Sequence, residues 1–372
     1  MKVFFTLDTL ANAGTEKSTL DIVKHFSKDT EVKVIYFYKG HDLKEAYEKA
    51  GIPLLFMNLQ GIKGYWKGIS ELKKLIRKEK PDLIVSSIYN ANIISRIACK
   101  LTGTLLVGTF VNDSYGPVRL EELKQKGIYK KFRFVWWLDK FTAGIPSYWI
   151  SNAVSIAESN SKALHVPMSK IKVIYRGRES DKFPVWQPPV SETFKFISIG
   201  RLHHRKGYAE LMKVHRRLLD ENLIHSIAVI GGGNEMENLK NQAKELGVEK
   251  TFILLDSQKN PWPYVKSADY FVLPSKSESY PLTIGEVMGL HKPIISTNVG
   301  GIPEMIDDGK DGILVNFDED EIFEAMKKFL TEPELVKKIT EGTESADEKF
   351  DENRIYQQVT EVFEQQYNLL NK

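Results

Sequence analysis

Cysteine is nearly missing from this chain: Cys99 is the one such residue among 372. No internal disulfide can form, which excludes a disulfide scaffold and fits a reducing cytosol. Cys99 sits in the helix-like run NIISRIACKL, where a buried structural thiol is a simpler reading than a nucleophile. Long apolar runs are missing too. No stretch approaches the roughly 18 residues that a membrane span needs. The apolar start MKVFFTLDTL has no small-residue cleavage site after it, so it reads as a first β-strand and not as a signal peptide. Zinc-finger spacings and RNP-like stretches are absent, so no nucleic acid is expected as a partner. Internal repeats and low-complexity tracts are absent as well.

A strong net charge is also lacking. The balance is +3 at pH 7, but it is unevenly placed. Residues 1–183 hold 30 Lys and Arg against 18 Asp and Glu, whereas residues 184–372 hold 22 against 31. A basic front half implies that this half meets something anionic, either a membrane surface or a phosphate-bearing acceptor.

What is present is alternation. KVFFTL, VKVIYFY, PLLFM, DLIVSS and LLVGTF are short apolar runs, separated by segments such as KGISELKKLIRKEK and ANIISRIACKLTG with helical spacing. The pattern restarts with FKFISIG, HSIAVIGG, TFILL, YFVLPS, PIIST and ILVNF as strands. Between the halves, KFPVWQPPVSET at 182–193 carries three prolines and reads as a linker. The spacing predicts an α/β chain of two doubly wound, Rossmann-like domains, residues 1–183 and 184–350. A C-terminal helix over 351–372 either packs across the hinge or finishes the second domain. Ligands of such sheets bind at the carboxyl ends of the strands, here in the cleft between the domains.

The segment SESYPLTIGEVMGLHKPII, 277–295, places Glu278 and Glu286 eight residues apart. Pro281 suits the first turn of a helix running to about Leu290, because its missing N–H would be unpaired there anyway. Free amides near Tyr280 to Thr283 would then form a phosphate-holding helix start, with a carboxylate on either side to accept hydroxyl groups. That arrangement suits a sugar–diphosphate–nucleoside. A second stretch, FISIGRLHHRKGYAEL, is strand, turn and helix, with Arg201 and Lys206 straddling the turn. Two cations here can neutralise a departing diphosphate. Two carboxylates also occur in glycoside hydrolases, but a phosphate-type helix start between them argues against that chemistry.

These stretches, with GGGNEMENL and the run ADYFVLPSKSESYPLTIGEVMGLHKPIISTNVGGIPEMIDDGKDGILV, resemble the C-terminal domain of the GT-B-fold retaining glycosyltransferases of family four, the glycosyl transferases group 1. The likeness spans nearly all of residues 194–330. The front half matches more loosely, in NAGTEKS, PDLIVSSIYNANIISRIACKLTG and VIYRGRESDKF. The resemblance implies a GT-B architecture with two domains facing a central cleft. It implies that Glu278 contacts donor-sugar hydroxyls, that Glu286 binds the ribose, and that Arg201 and Lys206 bind the diphosphate. Ser279, Tyr280, Pro281, Leu282 and Thr283 would line the donor. Backbone at Leu254, Leu255 and Asp256 would sit near the base. Gly14 would let backbone approach the donor phosphate or the acceptor. Many relatives carry a histidine in the loop after the fifth strand; this chain has FVNDSYG, which makes Asn112 and Asp113 the candidates for contact with the reacting sugar. Near the domain junction, Arg176-Gly177 replaces the family's Asn-Gly.

The activity so implied is transfer of a hexose-type sugar from a UDP- or GDP-sugar to a hydroxyl of a cell-surface glycan or lipid-linked acceptor. Two other readings remain open: a nucleotide-sugar epimerase on the same fold, and a non-catalytic sugar-nucleotide-binding subunit. No cofactor beyond the nucleotide sugar and no obligatory metal are expected. DED at 318–320 is better explained as a cap at a helix start. AGTEKST at 13–19 has Glu16 where a P-loop needs glycine and is rejected as one. GGGN at 231–234 is accounted for by a tight strand-to-helix turn, and His203 and His204 by solvation. KQKGIYKKFRFVWWLDKF at 124–141 is basic and aromatic. It is either an ordinary helix packing its aromatics inside, or an interfacial surface with Trp136 and Trp137 at headgroup level. The expected location is cytoplasmic, with a peripheral position on the inner face of the cell membrane under the second alternative.

Overall fold

The structure, a computed structural model, describes residues 1–26, 30–178 and 194–370. The chain divides into two compact units: Met1–Arg176 with Glu352–Lys372, and Gly177–Asp351. The linker expected at 182–193, and the boundary expected within it, lie outside the described residues.

The first unit runs β1 (Lys2–Leu7), α1 (Gly14–Lys24), β2 (Glu31–Tyr36), α2 (Lys44–Lys49), β3 (Leu54–Phe56), α3 (Gly61–Glu79), β4 (Leu83–Ser86), α4 (Tyr89–Thr102), β5 (Leu105–Phe110), α5 (Pro117–Gln125), α6 (Tyr129–Thr142), β6 (Tyr148–Ser151), α7 (Val154–Leu164) and β7 (Ile171–Val173). Its strands are all parallel, in the order β3-β2-β1-β4-β5-β6-β7. Central strands of such a sheet are covered on both faces, so they read as continuous apolar runs. Val3, Phe4, Phe5 and Leu7 of β1 are accordingly all buried.

The second unit runs β8 (Phe196–Ile199), α8 (Tyr208–Asp220), β9 (Ile227–Ile230), α9 (Met236–Glu245), β10 (Phe252–Leu255), α10 (Trp262–Ser267), β11 (Tyr270–Leu273), α11 (Leu282–Met288), β12 (Ile294–Thr297), β13 (Ile313–Val315), α12 (Glu319–Thr331) and α13 (Pro333–Glu344). Its parallel sheet has the order β10-β9-β8-β11-β12-β13. The chain winds outward from β8 in one direction and resumes at β11 on the other side. The two strands therefore flank the crevice in which doubly wound sheets bind ligands.

The closing helix α14 (Glu352–Leu370) belongs to the first unit. Ile355, Val359, Val362 and Phe363 recur at helical spacing and join the core of Val3, Phe5 and Val34. Phe363 stacks on Phe26 at 5.8 Å and meets Phe5 edge-on at 6.1 Å.

Three local expectations change. The helix carrying Glu286 starts at Leu282 and stops at Met288, with Pro281 extended at its N-cap position (φ −72, ψ 110) and not inside the first turn. The single helix expected over 124–141 is broken into α5 and α6, because Gly127 takes φ +67 and ends the first of them. Trp136 faces inward: its indole N–H donates to the Ala163 carbonyl (3.2 Å) and its ring stacks on Tyr115. Asp318 does cap α12, accepting from the amides of Asp320 (2.9 Å) and Glu321 (3.1 Å). Cys99 is buried, and burial pushes its thiol up to about 12, which leaves it unreactive.

A buried histidine pair ties α8 to the sheet of the second unit. His225 Nδ1 lies 2.7 Å from the Leu223 carbonyl, which can only accept, so that nitrogen carries the proton. Its bare Nε2 then accepts from His215 Nδ1 at 2.9 Å, and His215 Nε2 accepts from the Thr251 hydroxyl at 2.9 Å. Both rings are neutral in this chain of bonds. Burial, with His225 beside it, lowers the His215 pKa to about 3, and burial lowers that of His225. A folded pKa below the unfolded value means that the unfolded state binds more protons. Stability is therefore complete above about pH 6.5 and falls as pH drops from there toward 3, by up to about 1.4 kcal/mol per pH unit for His215, with His225 acting in the same direction. Urea midpoints across this range should show the fall, and His215→Phe should flatten it; an unchanged slope in the variant would assign the acid sensitivity elsewhere.

Candidate functional site

The loops that leave β8 and β11 meet at the crevice of the second sheet. Lys276 donates its amide to the Arg205 carbonyl at 2.7 Å, joining the two loops backbone to backbone. Lys206, from the first loop, forms an ion pair with Glu278 Oε1, from the second. Ser275, fully buried, donates to the same oxygen at 2.7 Å. Among the described residues no hydrogen bond reaches Glu278 Oε2, so one carboxylate oxygen is anchored and the other is available. Glu278 retains 12% side-chain exposure and Lys206 22%, so both are reachable from solvent without being fully hydrated. Beneath them Tyr208 is buried, and burial together with the Glu278 carboxylate pushes its phenol pKa upward.

Glycines set this geometry. Gly207 takes φ +71, and a Cβ there would stand 1.9 Å from the Pro274 carbonyl oxygen. Gly300, in the loop after β12, takes φ +57, and its Cβ would stand 1.8 Å from the Glu278 carbonyl oxygen. The neighbouring Gly301 amide donates to the Ser279 carbonyl at 2.7 Å. Three loops thus press on one another through backbone contacts that no side chain would allow. Gly231 and Gly233 do the same between the β9 loop and the backbone of Gly200 and Leu202.

The other expected donor residues distribute around this centre. Arg201 follows Gly200 and is exposed, and among the described residues no carboxylate pairs with it. Pro281, Leu282 and Thr283 are partly exposed, and the amides of Leu282 and Thr283 find no acceptor among the described residues. Glu286 is half-buried in the middle of α11. The far end of that helix is held by Arg178, which donates to the Gly285 carbonyl at 2.7 Å, while Gly289 leaves room for the guanidinium. Leu254 and Leu255 end the edge strand β10; the Leu255 carbonyl is taken by the Gly231 amide (3.0 Å), and Asp256, just after the strand, is exposed.

In the first unit, Gly14 opens α1, and a Cβ there would lie 3.2 Å from Arg176 Nη1, so a guanidinium faces this helix start. At the crevice between β1 and β4, Asp8 accepts from the amides of Ala91 (2.6 Å) and Asn90 (3.4 Å) and from the Asn90 side chain (2.8 Å). The start of α4 is thus already occupied by a carboxylate of the protein itself. Asp113 accepts from Ser159 at 2.6 Å, and Asn112, exposed, offers its carbonyl to Asn160 at 3.1 Å. Sequence reasoning missed Ser275, Arg178 and the glycines 207 and 300. The signal for Ser275 was its place three residues before Glu278 in SKSE; the glycines stood in GRLHHRKG and NVGG without a stated partner.

Residues 13–182 match the family model described as Glycosyltransferase Family 4, and residues 181–346 match that described as Glycosyl transferases group 1. The UDP-Gal:alpha-D-GlcNAc-diphosphoundecaprenol alpha-1,3-galactosyltransferase of Escherichia coli is 28% identical over 288 residues, 73% of this chain and 72% of that one. The GalNAc-alpha-(1->4)-GalNAc-alpha-(1->3)-diNAcBac-PP-undecaprenol alpha-1,4-N-acetyl-D-galactosaminyltransferase of Campylobacter jejuni is 25% identical over 331 residues, 86% of each chain. The crystal structure of Anabaena HepE in complex with UDP aligns with a TM-score of 0.81 at 19% identity, covering 98% of this chain and 100% of HepE.

Proposed function

Because this chain belongs to the family-four glycosyltransferases of GT-B fold, we propose that it transfers a hexose from a UDP-sugar, with retention, to a hydroxyl of a polyprenyl-diphosphate-linked glycan. The observation that carries the reading is the ion pair of Lys206 with Glu278 at the crevice of the second sheet, with one oxygen of Glu278 anchored by Ser275. A nucleotide diphosphate needs cations, and a sugar needs acceptors for its hydroxyl hydrogens; this pair supplies both side by side. The E. coli relative, named for UDP-Gal and a diphosphoundecaprenol acceptor, supports the donor base and the acceptor class, and HepE was crystallised with UDP and with UDP-glucose.

In this reading Lys206 and Arg201 neutralise the diphosphate, aided by the amides of Leu282 and Thr283. Glu278 Oε2 accepts from the donor sugar, Glu286 from the ribose, and backbone at Leu254–Asp256 meets the base. Ser279, Tyr280 and Pro281 complete the wall. Gly14 would let backbone approach the donor phosphate or the acceptor, and Asn112 and Asp113 would contact the reacting sugar. The bond from the anomeric carbon to the diphosphate oxygen breaks while the acceptor oxygen bonds to the same face. The acceptor proton passes to the departing diphosphate, so no protein base is required, and no metal is invoked because cations already stand at the phosphates.

A thermal-shift screen of UDP- and GDP-sugars tests the donor. Binding at about a hundred times Kd adds about 2.7 kcal/mol and should raise the midpoint for UDP-hexoses above all others. Anomeric analysis of the product from a polyprenyl-diphosphate glycan then tests retention. Donor alone converted to an isomeric nucleotide sugar would replace the reading with epimerisation. A midpoint moved by no nucleotide sugar would remove it.

A further inference from the structure

The helix α6 is already secured on its inner side. Trp136 and Phe132 pack with Tyr115, and the one acid of the helix, Asp139, is buried in an ion pair with Arg96 and accepts from the Tyr115 hydroxyl. The outer side has a different composition. Every exposed residue of α6 is aromatic or cationic. Phe134, Trp137 and Phe141 stand 67%, 60% and 76% exposed, and the last two stack at 5.6 Å. At about 100° per residue these three fall within one narrow sector. Lys130 shares that sector, and Lys131 lies on one flank with Arg133 and Lys140 on the other. Leu101, at the end of α4, is 54% exposed, and its neighbour Lys100 lines with Phe141 a cavity of about 510 Å³.

We propose that this face of α6 docks the first unit onto an anionic phospholipid surface, with Phe134, Trp137 and Phe141 entering the headgroup region and the four cations meeting lipid phosphates. Aromatic rings rimmed by Lys and Arg are the composition that an interfacial helix needs. Acids are excluded from the exposed face, as an anionic leaflet requires. A second copy of the chain fits poorly, since two such faces would set cations against cations, and protein interfaces are depleted of Lys at their centre. The uneven charge of the whole sequence has the same sense, with the excess of Lys and Arg in residues 1–183. The proposal stands apart from the transferase reading, because lipid binding needs neither donor nor acceptor.

The test is co-sedimentation of the full chain with vesicles of phosphatidylcholine alone and of phosphatidylcholine with equimolar phosphatidylglycerol. The expected result is pelleting with the anionic vesicles, weakening as sodium chloride is raised, and little with the neutral ones. Lys130→Glu with Lys131→Glu should cut the partition at least about fivefold for each cation lost. Trp137→Ser with Phe141→Ser leaves the charge intact and should cut it at least tenfold. Thermal midpoints equal to that of the parent chain establish that both variants are folded, and Phe134→Ser alone serves in place of the aromatic pair if its midpoint falls. Equal pelleting with both vesicle types, equal pelleting of parent and variants, or a dimer on gel filtration that the aromatic variant dissolves while the parent ignores lipid would each overturn the proposal.

Discussion

Glu278→Ala is expected to lower kcat/KM for glycosyl transfer about 10²–10³-fold, the usual cost of removing one preorganised charged contact from an active site. The loss has two parts. The sugar forfeits its acceptor at Oε2, and Lys206 forfeits the carboxylate that fixes its ammonium beside the diphosphate position. Lys206→Ala should cause a loss of the same order. The two residues touch, so the double variant should lose much less than the product of the single losses. Stability should change little by comparison, about 1–2 kcal/mol, because both side chains keep some access to water. Glu278→Gln can still accept from Ser275 but gives up the charge, and should fall between the parent and the alanine variant. Steady-state kinetics on purified variants with matched melting midpoints measure all four. Full activity in Glu278→Ala would refute the assignment.

Gly207→Ala should lower the stability of the second unit by about 3–4 kcal/mol. The conformation alone, φ +71 in a residue with a side chain, costs about 1–2 kcal/mol. The added methyl then meets the Pro274 carbonyl oxygen, a backbone atom that cannot swing aside, and the Phe317 ring behind it. Gly309 is the internal control: it has φ +70 but nothing within 4 Å of its would-be Cβ, so Gly309→Ala should cost only the conformational part. The difference between the two urea midpoints isolates the loop contact. Activity should fall with Gly207→Ala more than the unfolded fraction explains, since the β8 and β11 loops must part and Lys206 moves off Glu278. Equal midpoints for the two variants would mean that the loops are not pressed together.

Much of this was legible in the sequence, for physical reasons. Strands buried on both faces announce themselves as apolar runs, so β1, β4, β5, β8, β9 and β11 could be read directly. Glu278, Lys206 and Arg201 could be singled out as candidates from residue type and setting. Two strands, β6 and β7, were missed; in β7, IKV, a lysine interrupts the apolar run. Long-range partners were hidden as well. Lys206 and Glu278 are 72 residues apart, and nothing in either segment says that they touch; the strand order brings them together. The facing of Trp136 and Trp137 could not be told from adjacency, because neighbours on a helix point about 100° apart and only the packing decides which turns inward. Pro281 was misplaced by one position because a proline serves equally well just before a helix and just inside it.

The closing helix has a consequence for biogenesis. The core of the first unit includes Ile355, Val359 and Phe363, residues made after the whole of the second unit. A ribosome must therefore release the second unit before that core can be completed. The second unit, by contrast, is continuous from Gly177 to Asp351, and its strands β8 to β13 are all made before α14. Chain order thus lets the second unit close before the first, against the usual amino-terminus-first order, while the contacts of Phe5 and Phe26 with Phe363 must wait for α14.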